Sequence, residues 1–542
     1  MSTVAKYLHT VRYLRAVQIT NRIWRKLSRP RLDQRPAPAL RARPGSWSPP
    51  VAGEPTLVGP TRFRALNVER PCAAAVDWRP ADAPLLWRYH LHYFDDLTAR
   101  EAAGRVSWHQ ALLDRWVAEN PPGSGVAWDP YPTSRRIVNW IKWSLSGMEL
   151  PPACIASLAA QLRWLSRRLE YHLLGNHLLA NAKALAFGGA FFAGAEADAW
   201  AAGAERLFGA ELEEQVLSDG GHFELSPMYH AAVLEDVLDL VNLRRAYAKP
   251  VPPYLVETAG RMRQWLAAMT HADGEVAFFN DAAFGQAPTY AALEAYAQRL
   301  GLAPVAKQAE ALVALAESGY VRASVGPADL ICDCAAVGPD HLPAHAHADT
   351  LSFELTLSGQ RVLVNSGTSE YGSSPERARQ RGTAAHNTVV VDAADSSEVW
   401  GGFRVARRAR VSEVEAGIDE GAVSVAAAHD GYRRLRGRAL HRRRWWLREG
   451  SLTIDDELGG ERRSATAWFH MHPDVAVRQS RDGKLALTWE KGSAKLSFDG
   501  ADAVAIEQST WHPRFGVSIP SAAVTASFSG PKLRTLVEWP NR

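Results

Sequence analysis

Two histidines and an aspartate at every second position, His345-Ala346-His347-Ala348-Asp349, bring reactive side chains together. In an extended segment, alternation puts His345 and His347 on one face with Asp349 in line. Such a set suits metal ligation or proton transfer. His386, in Thr383-Ala384-Ala385-His386-Asn387-Thr388, stands at the entrance of the apolar run Val389–Val391. It reads equally as a third member of the same pocket or as a buried histidine bonded to backbone. Gly175-Asn176-His177 opens an apolar, alanine-rich stretch. Asn176 fits a helix N-cap; the pair also offers two hydrogen-bonding groups at a positive helix terminus, a place suited to a carboxylate. Ser226-Pro227-Met228-Tyr229-His230 begins another helix, where Tyr229 reads as a core aromatic or, near cations, as a base. The paired carboxylates of glycoside hydrolysis would have to come from Asp129, Glu224, Asp281 or Asp349, and no pattern pairs them.

The elements around these residues divide the chain. With 542 residues, 46% hydrophobic and 22% charged, it has material for more than one core, at ~150 residues per domain. From about Trp87 to Ala316 the periodicity is helical, with Leu158, Leu162, Leu165 and Leu169 at steps of three or four. Helices are expected over 154–174, 177–192, 201–217, 229–247 and 255–269, joined by short turns as in an array of helical hairpins. Past Gly319, short β-branched runs separated by Gly, Asp, Ser and Pro read as an antiparallel sandwich. The fold class is therefore α+β and multidomain, with helices over 87–316 and strands over 317–542. Two such units facing each other form a cleft, where ligand sites tend to lie.

Residues 1–45 carry eleven Lys/Arg against one acidic residue, Asp33. Leu8, Val11, Leu14, Val17, Ile23 and Leu27 alternate with these cations, so residues 1–32 read as a basic amphipathic helix. It could lie on an anionic membrane surface or pack against the main body. A proline-rich connector over 33–86 follows. The arginines at 433–448 read as the solvated face of a half-buried strand, and no nucleic-acid motif accompanies either basic cluster. Cys72, Cys154, Cys332 and Cys334 make no disulfide framework. No signal-peptide core and no run of ~18–20 apolar residues is visible, so a cytoplasmic location, peripheral to the inner membrane face, is expected. Oligomeric state is not encoded in any pattern here.

The segments GNHLLANAKAL (175–185), HFELSPMYH (222–230), HAHADTLSFEL (345–355) and RGTAAHNTVVVD (381–392) closely resemble the heparinase II/III-like polysaccharide lyases. WDPYPTSRRIVNWI (128–141) and FFNDAAFG (278–285) resemble the same group. The resemblance runs in order from about Trp87 to Arg410 and implies an incomplete (α/α) toroid followed by an antiparallel β-sandwich. It implies β-elimination on a uronic-acid-containing acidic polysaccharide. Asn176 and His177 would hold the uronate carboxylate, Tyr229 would be base, acid or both, and His345 the partner from the sandwich. Tyr229 would need nearby positive charge to work near neutrality. Arg135, Arg136, Arg377 and Arg381 are candidates for that charge and for gripping the glycan. One structural divalent ion, zinc or calcium, is implied at His347 and His386, with Asn365 at the position of an aspartate. A uronyl C5-epimerase acting on a glycan under assembly and a non-catalytic glycan-binding protein are the alternatives.

Overall fold

The computed structural model describes residues 3–28, 31–305, 310–461, 464–480 and 484–540. Helices Pro130–Leu145, Gly175–Phe191 and Pro227–Ala246 touch one another in that order and form an inner wall. Most of their residues are buried, charged ones such as Arg136, Lys142, Lys183 and Asp239 included, as expected of helices covered on several sides. Pro152–Ser166, Ala195–Gln215 and Pro253–Ala268 pack around them. Proline in the first turn, where no N–H is needed, starts Pro130–Leu145, Pro152–Ser166, Pro227–Ala246 and Pro253–Ala268. Because each inner helix is followed by an antiparallel outer one, the inner helices begin at the same end of the bundle. This is the expected incomplete (α/α) toroid.

The second half is a two-layer antiparallel sandwich. One layer has eight strands; the other joins a five-stranded to a four-stranded sheet through the bridge Leu363↔Met471. Side chains from all three sheets, among them Leu330, Phe353, Val389, Ala467, Trp445 and Leu452, share one core. The arginine cluster resolves by strand alternation in Leu440–Arg448. Arg442 and Arg444 face outward to Glu413 and Glu415, while Arg443 is buried on Asp456.

Several element expectations differ from the structure. Residues 1–32 hold two helices, Thr3–Val11 and Ala16–Leu27, broken at Arg12–Arg15. The connector 33–86 contains a three-stranded sheet, Leu57–Gly59, Arg62–Ala65 and Val68–Pro71, and helix Leu85–Leu91 begins within it. The sheet half starts before 317, with strand Leu312–Leu315. The helix expected to reach 174 stops at Ser166. Beyond it the chain turns Glu170 inward, where the Asn181 side chain accepts from the Glu170 N–H at 2.8 Å. The leucine spacing runs on through that turn and masks it.

Candidate active site

The shared helix end opens on a cavity of about 560 Å³ between the two halves, within the roughly 300–1,000 Å³ of ligand pockets. Each inner helix contributes its first turns: Tyr131 and Arg135, Asn176 and His177, Met228 and Tyr229. His345, Tyr371 and Phe403 come from the sheet half, and Tyr89, His90 and Tyr93 add an aromatic side wall. Three helix N-termini meeting at one place favour a bound anion.

Asn176 is not an N-cap. The helix already includes Gly175, and the cap position is Leu174. Gly175 has φ +57°, and a Cβ there would lie 2.4 Å from Leu342 and 2.9 Å from Glu224 Oε1. Only glycine permits both the turn and the approach, and this turn sets Asn176 and His177 on the cavity. Burial disfavours charge on His177, but the Glu170 carboxylate, 3.3 Å from Nδ1, outweighs it and raises the imidazole pKa. Glu170 thus favours the charged form of the ring.

Ser226 caps the next helix by accepting from the Tyr229 N–H, and its hydroxyl donates to the Asp281 carbonyl at 2.5 Å. The Tyr229 ring packs against His345 with centroids 3.9 Å apart and planes tilted by 31°. Its hydroxyl lies 2.8 Å from that of Tyr371. Burial first, then Tyr371 and the Asp281 charge, push the phenol well above its ordinary pKa. The expectation that cations lower it is not met: Tyr229 is a protonated phenol here.

Asp281 organises both histidines. One carboxylate oxygen is 2.9 Å from His345 Nδ1 and the other 2.9 Å from His347 Nε2. Arg377 adds a bidentate pair to the same carboxylate. Burial opposes that charge, but Arg377 and the two imidazoles hold the carboxyl well below the usual range. The backbone is clipped as well, since the Asp281 N–H donates to the His345 carbonyl at 2.9 Å and Asn280 Oδ1 accepts from the His347 N–H at 2.9 Å. Glu224 Oε2 lies 3.5 Å from His345 Nε2. Burial raises this carboxyl, against the pull of His345 and the Asn176 N–H.

Of the four expected glycan-gripping arginines, only Arg135 lines the cavity, paired with Asp95 at 3.1 Å. Arg136 is fully buried over Trp116, 3.9 Å from the ring centroid, and donates to Gln161 and the His92 carbonyl. Arg377 is committed to Asp281, and Arg381 donates to the Ala346 carbonyl. Cationic side chains on the cavity that the sequence did not single out are Lys142 and Lys183. Both pair with Asp239, and Lys183 also with Asp236.

A second cluster lies behind His345. His347, Asp349 and His386 each offer a ligand atom, all within 4.8 Å of one another, and His347 Nδ1 and His386 Nε2 are 3.3 Å apart. Asn365 does not belong to it. Its amide donates to the Phe278 carbonyl and its oxygen accepts from the Asn387 N–H, so its valences go to backbone, and Asp349 is the carboxylate at hand. Burial depresses His347 to about 4 and His386 to about 3. Both imidazoles are therefore neutral with a lone pair each, as ligation requires.

Residues 97–305 match the family model "Heparinase II/III N-terminus", and residues 307–539 match "Heparinase II/III-like, C-terminal". Among characterised proteins, the "FtsZ-localized protein C" of Caulobacter vibrioides is 28% identical over 433 residues, 73% of this chain and 71% of that one. The "Heparin-sulfate lyase" of Bacteroides stercoris is 23% identical over 498 residues, 80% of this chain and 71% of that one. A crystal structure of heparinase III superposes with a TM-score of 0.69 at 18% identity, over 86% of this chain and 79% of that one.

Proposed function

The chain belongs to the heparinase II/III-like family, and on that premise we propose that it is a polysaccharide lyase cleaving a uronic-acid-containing glycan of the glycosaminoglycan type. The observation that carries this reading is the convergence of Asn176, His177, Tyr229 and His345 on one cavity. Relatives named as heparin-sulfate lyases support elimination over the epimerase and binding-protein alternatives.

The C5–H of a uronate is weakly acidic because its loss would build a dianion. Asn176 and His177, whose charged form Glu170 favours, hydrogen-bond the carboxylate and offset its charge, and fixed donors of this kind contribute several kcal/mol, about 2.7–4 for one oxyanion-hole donor. His345 takes the C5 proton at Nε2, with Asp281 accepting its Nδ1–H and fixing ring and tautomer, the division of labour in a Ser-His-Asp triad. As the C4–O4 bond breaks, the Tyr229 hydroxyl gives its proton to O4. The C5–H electron pair becomes the C4=C5 double bond. The proton on His345 then returns to the phenolate of the adjoining Tyr229, which restores both groups. A protonated, high-pKa Tyr229 suits the acid role, whereas the base role would require it to ionise first.

His347, His386 and Asp349 would hold one divalent metal. Two imidazoles and a carboxylate suit zinc better than calcium, and a metal there would supply structural cross-linking of the segments that carry His345. Incubation with a panel of uronic-acid polymers tests the activity. Ultraviolet absorption from 4,5-unsaturated ends is expected; C5 deuterium uptake without cleavage would replace the lyase with an epimerase.

A further inference from the structure

The helix Ala16–Leu27 is mounted inside out. Its polar side faces the protein: Gln18 is buried and donates to the His341 carbonyl at 3.2 Å, and Arg25 donates to the Arg168 carbonyl at 3.1 Å. The opposite side shows Ile19, Ile23, Trp24 and Leu27 to solvent, with Leu27 77% exposed. In the preceding helix Thr3–Val11 no residue is buried, and Val4 and Leu8 are 68% and 67% exposed. Nine of the twenty exposed large hydrophobics among the described residues fall within the first 27 positions. Helices of a soluble protein put apolar residues inward, so a surface of this polarity marks an interaction site.

We propose that this helix pair is an interfacial anchor that lies in the surface of an anionic lipid bilayer. Arg22 and Lys26 border the apolar side and have no carboxylate partner among the described residues, and Arg12 follows the first helix; Arg15 is paired with Glu214. An apolar strip flanked by cations is the composition of helices that bind anionic lipid in the interface plane. No described helix is long and apolar enough to cross a membrane. A second copy of the chain fits less well. A two-fold interface on this patch would place both copies of Arg22 and Lys26 at a seam whose helices carry no carboxylate, whereas lipid phosphates neutralise them. The pair also touches both halves of the fold: Tyr7 packs edge-on to Trp400 at 4.7 Å, on the same loop as Phe403 of the cavity. Lipid would therefore lie beside the cleft mouth.

The test is co-sedimentation of the full chain with vesicles of phosphatidylcholine alone or mixed with phosphatidylglycerol. Binding to the anionic vesicles is expected, with little to the neutral ones and a decline as salt rises. The double variant Ile23→Asp/Leu27→Asp should lower partitioning at least tenfold, and Arg22→Ala/Lys26→Ala by roughly tenfold. All these side chains lie on the exposed helix, so melting temperature and lyase turnover on soluble oligosaccharide should match wild type, which keeps this result separate from the proposed activity. No partitioning by the wild-type chain, equal partitioning to neutral vesicles, or unchanged binding by both variants would overturn the proposal. So would a dimer in solution that Ile23→Asp/Leu27→Asp dissociates.

Discussion

The Tyr229 and Tyr371 hydroxyls face each other at 2.8 Å, one phenol from the helical half and one from the sheet half. Arg377 lies over the Tyr371 ring, 4.9 Å from its centroid, but burial outweighs its pull and both phenols are pushed well above the ordinary range. Tyr229→Phe keeps the ring contact with His345 and removes only the proposed proton donor. Turnover should fall roughly 10²–10⁴-fold with KM little changed. Tyr371→Phe removes a partner that orients the donor, so about a tenfold loss is expected from one hydrogen bond. Wild-type steady-state rates for Tyr229→Phe would take this residue out of the reaction.

Asp281→Asn leaves Arg377 buried without its counter-charge and both histidines without their acceptor. Breaking such a buried pair costs about 3–5 kcal/mol, so the melting temperature should drop along with activity. A variant that melts like wild type yet is inactive would confine Asp281 to orienting His345. One that retains both properties would remove it from the site.

The pKa of His177 is raised, so its sign runs opposite to that of a stabilised carboxylate. Its ion pair with Glu170 is fully present below the unfolded value, about 6.5, and is lost as pH rises through the higher folded value. The alkaline limb of kcat/KM should report that loss. Glu170→Gln removes the raising charge and should move the limb to lower pH. An unmoved limb would assign it to another group.

A preparation of the chain is expected to contain about one zinc per molecule by elemental analysis. His386→Ala or prolonged chelation should remove it, lowering the melting temperature more than the turnover of the molecules that stay folded. Metal-free protein with a wild-type melting curve would leave the His347–Asp349–His386 cluster as a hydrogen-bonded core feature.

Much of this was legible in the sequence because it is local. Gly175–Phe191 is apolar nearly all round, the other two inner helices open on proline, and the strands alternate, so both halves could be assigned from local pattern. Asn176, His177 and Tyr229 stood in short patterns at helix starts and His345 in one on the loop ahead of the strand Phe353–Leu357, and the structure brings them to one cavity. What failed was long-range. Arg136 sits in the same helix as Arg135, one residue on, yet a turn of 100° puts it on Trp116 instead of the cavity. Whether an arginine meets a glycan or a buried carboxylate depends on what faces it, and Asp281 lies 96 residues from Arg377. Asp349 was visible beside the histidines, but nothing local says that Asn365 spends its amide on backbone carbonyls and amides. Tyr371 had no sequence signal.

The seam between the two halves runs through the cavity that holds the proposed reaction centre. In the proposed reaction the donor and clamp, Tyr229, Asn176 and His177, ride on the bundle; the proposed proton acceptor, His345, rides on the sheet half and is tied back by the bundle carboxylate Asp281. Neither half alone therefore has a complete set of reagents. Expressed as two separate polypeptides divided near residue 306, each should be inert, and turnover should reappear only on mixing, at a rate set by how well the pieces dock.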